Sequence, residues 1–440
     1  MGATSTEKSL YAEHIAARQR TTEAALAATK FDALVISSGA PFTYFVDDMD
    51  APLHETPHFA HWVPLRGPHH LLLIRPGHKP RLVRFAPEDY WYEQAPLGET
   101  FWADDFDFHE VGSRKEAWEL VAASGRVAYV GDESDAARAA GIADAACNPA
   151  ELTARLDWER SFKSAYEIGC MEEAEKIASW GHRAALAAFD KGASEIEIHH
   201  AYLAACGCAE AELPYGTIIA HDEKGAILHY TGKRTQKNGR VLLIDAGAKY
   251  LGYASDITRT WTRKDCDSLF RELVKGVDKL QLELCERVTP GLPYPELHRA
   301  GHILIGELLR ELGVLKISGE DAFALGLTSP FFPHGLGHFL GIQVHDVSGR
   351  QAGPAGGVAP PPAHSPFLRT TRTIAEHQVF TIEPGVYFIE MLLRAHRTGP
   401  HAGSIDWSVV EQLAPFGGVR IEDNVLVTAS GHRNLTRPVI

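Results

Sequence analysis

Residues 331–346, FFPHGLGHFLGIQVHD, limit what the chain can build around them. They hold three histidines, His334, His338 and His345. On a helix, His334 and His338 would share one face. Pro333, Gly335, Gly337 and Gly341 oppose a helix, because proline removes an amide donor and glycine raises the entropy cost of helical backbone. An extended segment is expected instead, with His334 and His338 on the same side of the pleat. Gly335 stands where an HExxH zinc-protease helix needs its glutamate, which excludes that motif. Three imidazoles in a glycine-rich apolar run, with acids available elsewhere, read as an active-site strand.

A chain of 440 residues, 45% of them hydrophobic, is long enough for two separate cores. Its net charge of −14 argues against nucleic acid, whose phosphates would be repelled. Apolar runs such as residues 71–74 fall far short of a membrane span, and residues 1–8 lack the apolar core of a signal peptide. Gly2 and Thr6 match the loose myristoylation pattern, which small residues satisfy too easily to carry weight. The six cysteines include no C-x-x-C pair and read as reduced core residues of a cytoplasmic protein.

Periodicity predicts a helix over residues 10–28, a buried strand at 33–37, a hairpin from 69–74 and 80–85, and a strand at 126–131. This alternation suggests a small α/β domain over residues 1–158. Within it, Asp47, Asp48 and Asp50 form an acidic group that, from the residues alone, reads as a solvated loop. A second domain, residues 159–440, is expected to be α+β. Capping boxes at Ser164/Glu167 and Ser194/Glu197 should open two helices, with further helices over 266–287 and 294–312. Strands are expected at 241–246, 253–261, 379–383 and 419–427, and residues 349–366, rich in glycine and proline, read as a loop.

Four of those strands carry acids. The run VLLI at 241–244 ends on Asp245, and Asp256 follows eleven residues later. If the strands turn about residues 249–252, Asp245 and Asp256 lie nearly opposite, which like charges disfavour unless a proton or cation intervenes. Glu383 closes one strand before Pro384, and Glu422 lies among β-formers in another. With His338, Asp245, Asp256, Glu383 and Glu422 make four carboxylates and one imidazole. Four negative charges balance two divalent cations. Oxygen-dominated ligation favours Mn²⁺, with Co²⁺ or Zn²⁺ able to substitute. Bridging carboxylates would hold the ions about 3.5–4 Å apart with a shared hydroxide as nucleophile.

The motifs Asp245-Ala246-Gly247, Asp256-Ile257-Thr258-Arg259-Thr260, His334-Gly335-Leu336-Gly337-His338, His345-Asp346, Ile382-Glu383-Pro384-Gly385 and Arg420-Ile421-Glu422-Asp423 resemble those of the pita-bread-fold metallopeptidases. Within them the chain is most similar to the branch of bacterial Xaa-Pro dipeptidases (prolidases) and organophosphorus acid anhydrolases. The resemblance covers nearly the whole chain, from Tyr11-Ala12-Glu13-His14-Ile15 to Pro415-Phe416-Gly417-Gly418. It implies a metal-dependent dipeptidase for Xaa-Pro substrates, with organophosphorus triester hydrolysis as a side activity. In it Asp245 would chelate one metal, His338 and Glu383 the other, and Asp256 and Glu422 would bridge. His345 and His334 would face the scissile carbonyl and the developing oxyanion, Glu383 would shuttle a proton, and Arg420 would brace the site. His229, Tyr215, Tyr294 and Leu368 would line the pocket, and Arg372 would pair with the dipeptide carboxylate. Asp48 would reach the substrate amine from the neighbouring subunit of a homodimer.

Three rivals differ in what they require. An aminopeptidase P acts on longer peptides, which a carboxylate clamp at Arg372 would disfavour. A non-catalytic binding module of this fold would lack ligands, and none is missing here. Creatine-type amidinohydrolases differ in their ligand set.

Overall fold

The computed structural model describes residues 5–94, 97 and 100–440, so the amino-terminal motif at Gly2 lies outside the described residues. The chain falls into two compact units. One is formed by residues up to 168 together with 351–357; the other comprises 169–350 and 358–440.

The first unit opens with α1 (Ser5–Thr29), the helix expected from the Ala/Glu/Arg periodicity. Next come β1 (Ala33–Ser37), β2 (Leu71–Ile74), β3 (Arg81–Phe85), β4 (Asp107–Val111) and β5 (Val127–Val130). They form one sheet in the order β4-β3-β2-β1-β5, with β2 and β3 as the expected hairpin. Every residue of β1 is buried, as a central strand covered on both faces requires. The acidic turn at residues 43–50 is exposed. It is closed by pairing of Thr43 with Asp50 and holds Phe45 96% exposed.

Helix α2 (Ala165–Asp190) begins at the capping box of Ser164 and Glu167, in the first unit, and from residue 169 belongs to the second, where α3 (Glu195–Cys206) begins at the capping box of Ser194 and Glu197. The antiparallel strands β6 (Ile218–His221), β7 (Val241–Asp245) and β8 (Thr258–Thr262) follow in the order β8-β7-β6. Two amphipathic helices, α4 (Ser268–Glu286) and α5 (Tyr294–Glu311), bury one face in the main core. The carboxy-terminal half adds β9 (Val379–Ile382), β10 (Gly385–Tyr387), β11 (Gly418–Arg420), β12 (Asp423–Thr428) and β13 (Gly431–Asn434). These pair as β9-β12-β13 and β10-β11.

The structure corrects four expectations. Asp245 pairs with Thr258, not with Asp256. The expected strand at 253–261 is interrupted. Residues 255–257 leave the ladder, because Ser255 turns its hydroxyl back to the Ala248 amide and its carbonyl crowds Gly247, where a Cβ would lie 1.9 Å away. The expected strand at 419–427 breaks at Ile421 and Glu422, where the Glu422 amide donates to the Thr258 carbonyl instead. Residues 349–366 contain a small hairpin, Gln351–Gly353 with Gly356–Val358. Residues 331–346 form no helix and no assigned strand. They nonetheless run extended beside β9, with bonds from Glu383 N to Leu336 O, Thr381 N to His338 O and Leu340 N to Val379 O.

Candidate metal centre

Each break in the ladders aims an acid inward. Asp256 leaves β8, Glu422 sits in the kink between β11 and β12, and Glu383 follows the end of β9. His338 projects from the segment beside β9. Its Nε2 lies 3.4 Å from Asp256 Oδ2 and 3.6 Å from Glu383 Oε1. Asp256, His338 and Glu422, all buried, offer ligand atoms within 4.8 Å of one another. Asp245 belongs to the same site through Arg420, whose Nη2 donates to Asp245 Oδ2 at 2.7 Å and whose Nε reaches Thr258 Oγ1 at 3.3 Å. Thr258 in turn donates to Glu422 Oε2 at 2.6 Å, and Tyr215 donates to Asp256 Oδ1 at 2.5 Å. Asp256, His338, Glu383 and Glu422 thus lie together, and Asp245 joins them through Arg420.

Burial and mutual repulsion push the acids up: Glu422 well above the usual carboxylate range, Glu383 to about 7, and Asp256 upward. Burial alone would lower His338, but Asp256 and Glu383 raise it. Its Nδ1 donates to the Phe339 carbonyl at 3.0 Å, which leaves the Nε2 lone pair facing two carboxylate oxygens. Lone pair against oxygens is repulsive unless a proton or a cation lies between. Asp245 Oδ1 is buried with no hydrogen-bond partner. Four converging acids, one metallatable nitrogen and an unpartnered oxygen fit divalent cations.

His334 stands beside Glu383, 3.8 Å from Nδ1 to Oε2. Burial and the Arg420 charge lower it to about 3. Its Nδ1 donates to Gly335 O, and its Nε2 accepts from Tyr387 at 2.9 Å. His345, only partly withdrawn from water, stacks edge-on to His338 with ring centroids 4.4 Å apart, and that partial burial together with the His338 charge lowers it. His229 is exposed and stands near enough to His334 and His345 to influence both. Tyr294 is buried with its hydroxyl on Thr381 O, and Leu368 is fully buried in the wall of a cavity of about 280 Å³ that also touches His334. Arg372 is largely buried and donates to Ser348 Oγ; the guanidinium acting on His345 is that of Arg369, which the sequence reading missed. Tyr387, Thr258 and Thr381 were also missed, since a lone hydroxyl in a β-run gives no signal. Asp48 lies exposed on the first unit's acidic turn.

In the first unit, His14, His61 and Glu167 also cluster. Both nitrogens of His14 are engaged, with Ser164 Oγ and His61 O. Against the upward pull of burial, His61, His14 and Lys163 hold Glu167 well below the usual range. Glu167 also caps a helix, so this group reads as a neutralised structural network.

Buried acids gathered around one histidine, on a mixed α/β unit that follows a smaller α/β unit, define a metal-dependent hydrolase. The chain belongs to metallopeptidase family M24, whose profile matches residues 169–429. Residues 9–158 match the N-terminal domain of Xaa-Pro dipeptidases. Over 437 residues the chain is 44% identical to the Xaa-Pro dipeptidase of Xanthomonas campestris pv. campestris (strain 8004), covering 98% of this chain and 97% of that protein. It is 40% identical over 435 residues to the Xaa-Pro dipeptidase of Pseudoalteromonas atlantica, covering 97% and 98%. Among solved structures, proline aminopeptidase P II from Yersinia pestis superposes with a TM-score of 0.74 at 24% identity, covering 98% and 97%. Zinc-substituted Escherichia coli aminopeptidase P superposes at 0.75 and 23%, covering 98% and 96%. At those identities the likeness is one of fold.

Proposed function

We propose that this chain is a metal-dependent Xaa-Pro dipeptidase. The observation that carries the reading is the convergence of Asp245, Asp256, His338, Glu383 and Glu422 in a chain 44% identical over its length to an Xaa-Pro dipeptidase. Asp245 would hold one cation, His338 and Glu383 the other, with Asp256 and Glu422 shared. The oxygen-rich set favours Mn²⁺. Two such ions supply an acidified water and a polarised carbonyl.

The chain's own groups do the rest. His334 and His345, both kept neutral, offer ring nitrogens to the reacting carbonyl without adding charge. Glu383 is the proposed proton shuttle, which would take a proton from the acidified water and release it to the prolyl nitrogen. That proton matters because a tertiary amide nitrogen leaves poorly unless protonated. Arg420 fixes Asp245, and Tyr215 fixes Asp256. Arg372 is the proposed partner of the substrate carboxylate, with His229, Tyr294 and Leu368 lining the pocket. Asp48 would meet the substrate amine from a second copy, in a homodimer; the exposed Phe42, Phe45 and Met49 around it favour a covered surface. Six cysteines without disulfides favour a reducing, cytoplasmic setting. Among the described residues no helix is long and apolar enough to cross a membrane.

The test is hydrolysis of Ala-Pro and Ala-Pro-Ala by metal-stripped protein before and after Mn²⁺ is returned. Mn²⁺ should restore cleavage of the dipeptide and leave the tripeptide nearly untouched. Preference for the tripeptide would place the chain among aminopeptidases P, and full activity without metal would end the proposal.

A further inference from the structure

Behind the metal centre lies a second layer of charge that touches no ligand side chain. Asp423, fully buried, follows Glu422 in the chain and pairs in register with Ile382, the residue before Glu383. Arg259 binds one of its oxygens, Nη2 to Oδ1 at 2.6 Å. The same guanidinium donates from Nη1 to the carbonyls of Glu422 at 2.7 Å and Thr258 at 2.8 Å. Asn434 Nδ2 donates to the other oxygen of Asp423 at 2.8 Å.

Arg437 completes this layer and extends it. Its Nε donates to Asp423 Oδ2 at 2.6 Å, its Nη1 to Asp278 Oδ1 at 2.8 Å and its Nη2 to Gln281 Oε1 at 2.7 Å. Asp278 and Gln281 lie on α4. Gln281, fully buried, passes the constraint on: its Nε2 donates to the Ile382 carbonyl at 3.2 Å. One planar fork is thus fixed at all three nitrogens, and a rigid fork loses little freedom per bond made. It reaches the backbone beside Glu422 through Asp423, and the backbone beside Glu383 through Gln281.

We infer that Arg437 is a positioning residue for the metal centre, setting Glu383 against Glu422 through Asp423 and Gln281. The inference rests on the reading of Glu383 and Glu422 as ligands. Outer groups that orient ligands typically change metal affinity by about 10–100-fold when removed. A layer that served stability alone would lower the unfolding temperature and leave that affinity where it was.

The test reads Mn²⁺ dissociation constants by competition with a chelating dye, without substrate, on full-length Arg437→Gln, Arg437→Lys and wild-type protein. The unfolding temperature is recorded in chelator alongside. Arg437→Gln should weaken Mn²⁺ binding about tenfold, Arg437→Lys should recover part of the loss, and Arg433→Gln, which alters only the surface pair with Glu172, should bind as wild type does. Gln281→Met keeps the helix and cuts the link to Ile382. It should weaken binding in the same direction, which keeps the test open if Arg437→Gln fails to fold. Unchanged affinity in the folded Arg437 or Gln281 variants would overturn the inference. A wild-type protein that binds no Mn²⁺ would overturn the metal centre itself, and this inference with it.

Discussion

The Tyr387 hydroxyl sits between two groups of opposite character. Arg420 Nη1 donates to it at 2.9 Å, and it donates to His334 Nε2 at 2.9 Å. Burial pushes the phenol up to about 12, so it remains a donor at every pH the protein meets. It therefore fixes the orientation of His334 and completes the Arg420 fork that holds Asp245. Tyr387→Phe leaves both groups short of a partner, which costs about 1–3 kcal/mol where the group is buried. The expected outcome is a lower unfolding temperature and a fall in kcat for Ala-Pro, about tenfold for each 1.4 kcal/mol of that cost felt in the transition state. Metal content should be retained, as checked by elemental analysis beside steady-state kinetics. The candidate ligands were readable from the sequence, because Asp245 and Glu383 close apolar β-runs, Asp256 and Glu422 lie among β-formers and His338 sits in a glycine-rich run. Tyr387 was not, since an aromatic residue in a strand is ordinary core.

At the scale of elements, the site depends on one irregular segment lying against β9. Gly337 makes that approach possible: a Cβ there would lie 1.9 Å from Thr381 O and 2.4 Å from the Tyr294 hydroxyl. Gly337→Ala must push the segment off β9 and carry His338 with it. Overpacking of this kind costs about 1–3 kcal/mol. The variant should unfold at lower temperature and lose Mn²⁺ binding, whereas Gly403→Ala, which faces open space, should do neither. Thermal unfolding with and without Mn²⁺ distinguishes them. Glycine and proline in residues 331–346 announced that a helix was excluded. That the segment would bond to β9 without becoming a regular strand followed from neighbours far away in sequence.

At the scale of the whole molecule, folding gathers acids that the unfolded chain keeps apart. Asp256, Glu383 and Glu422 all have folded-state pKa values above their ordinary ones, Glu383 at about 7. Each therefore contributes stability that is fully present below the unfolded value, near 4, and lost as pH rises through the folded value. Metal-free protein should lose stability as pH rises from about 4 through about 7. Bound cations favour the ionised acids, so Mn²⁺-loaded protein should show a flatter profile and a higher unfolding temperature. Scanning calorimetry across that range in chelator and in Mn²⁺ gives both curves. Parallel curves would mean that these acids do not form the cation site.

The local sequence determined which segments became helices and strands, because capping boxes at Ser164 and Ser194 and the apolar runs at 33–37 and 241–244 act over a few residues. It also marked the four acids and the imidazole, Asp245 and Glu383 by their place at strand ends, Asp256 and Glu422 among β-formers, and His338 in a glycine-rich run. Register and breaks were decided only by the tertiary structure. Asp245 faces Thr258 rather than Asp256 because Ser255 and Gly247 pinch the ladder, and Glu422 turns inward because its amide finds Thr258, 164 residues earlier. Such choices depend on hydrogen bonds between segments distant in sequence, and no local pattern encodes their partners.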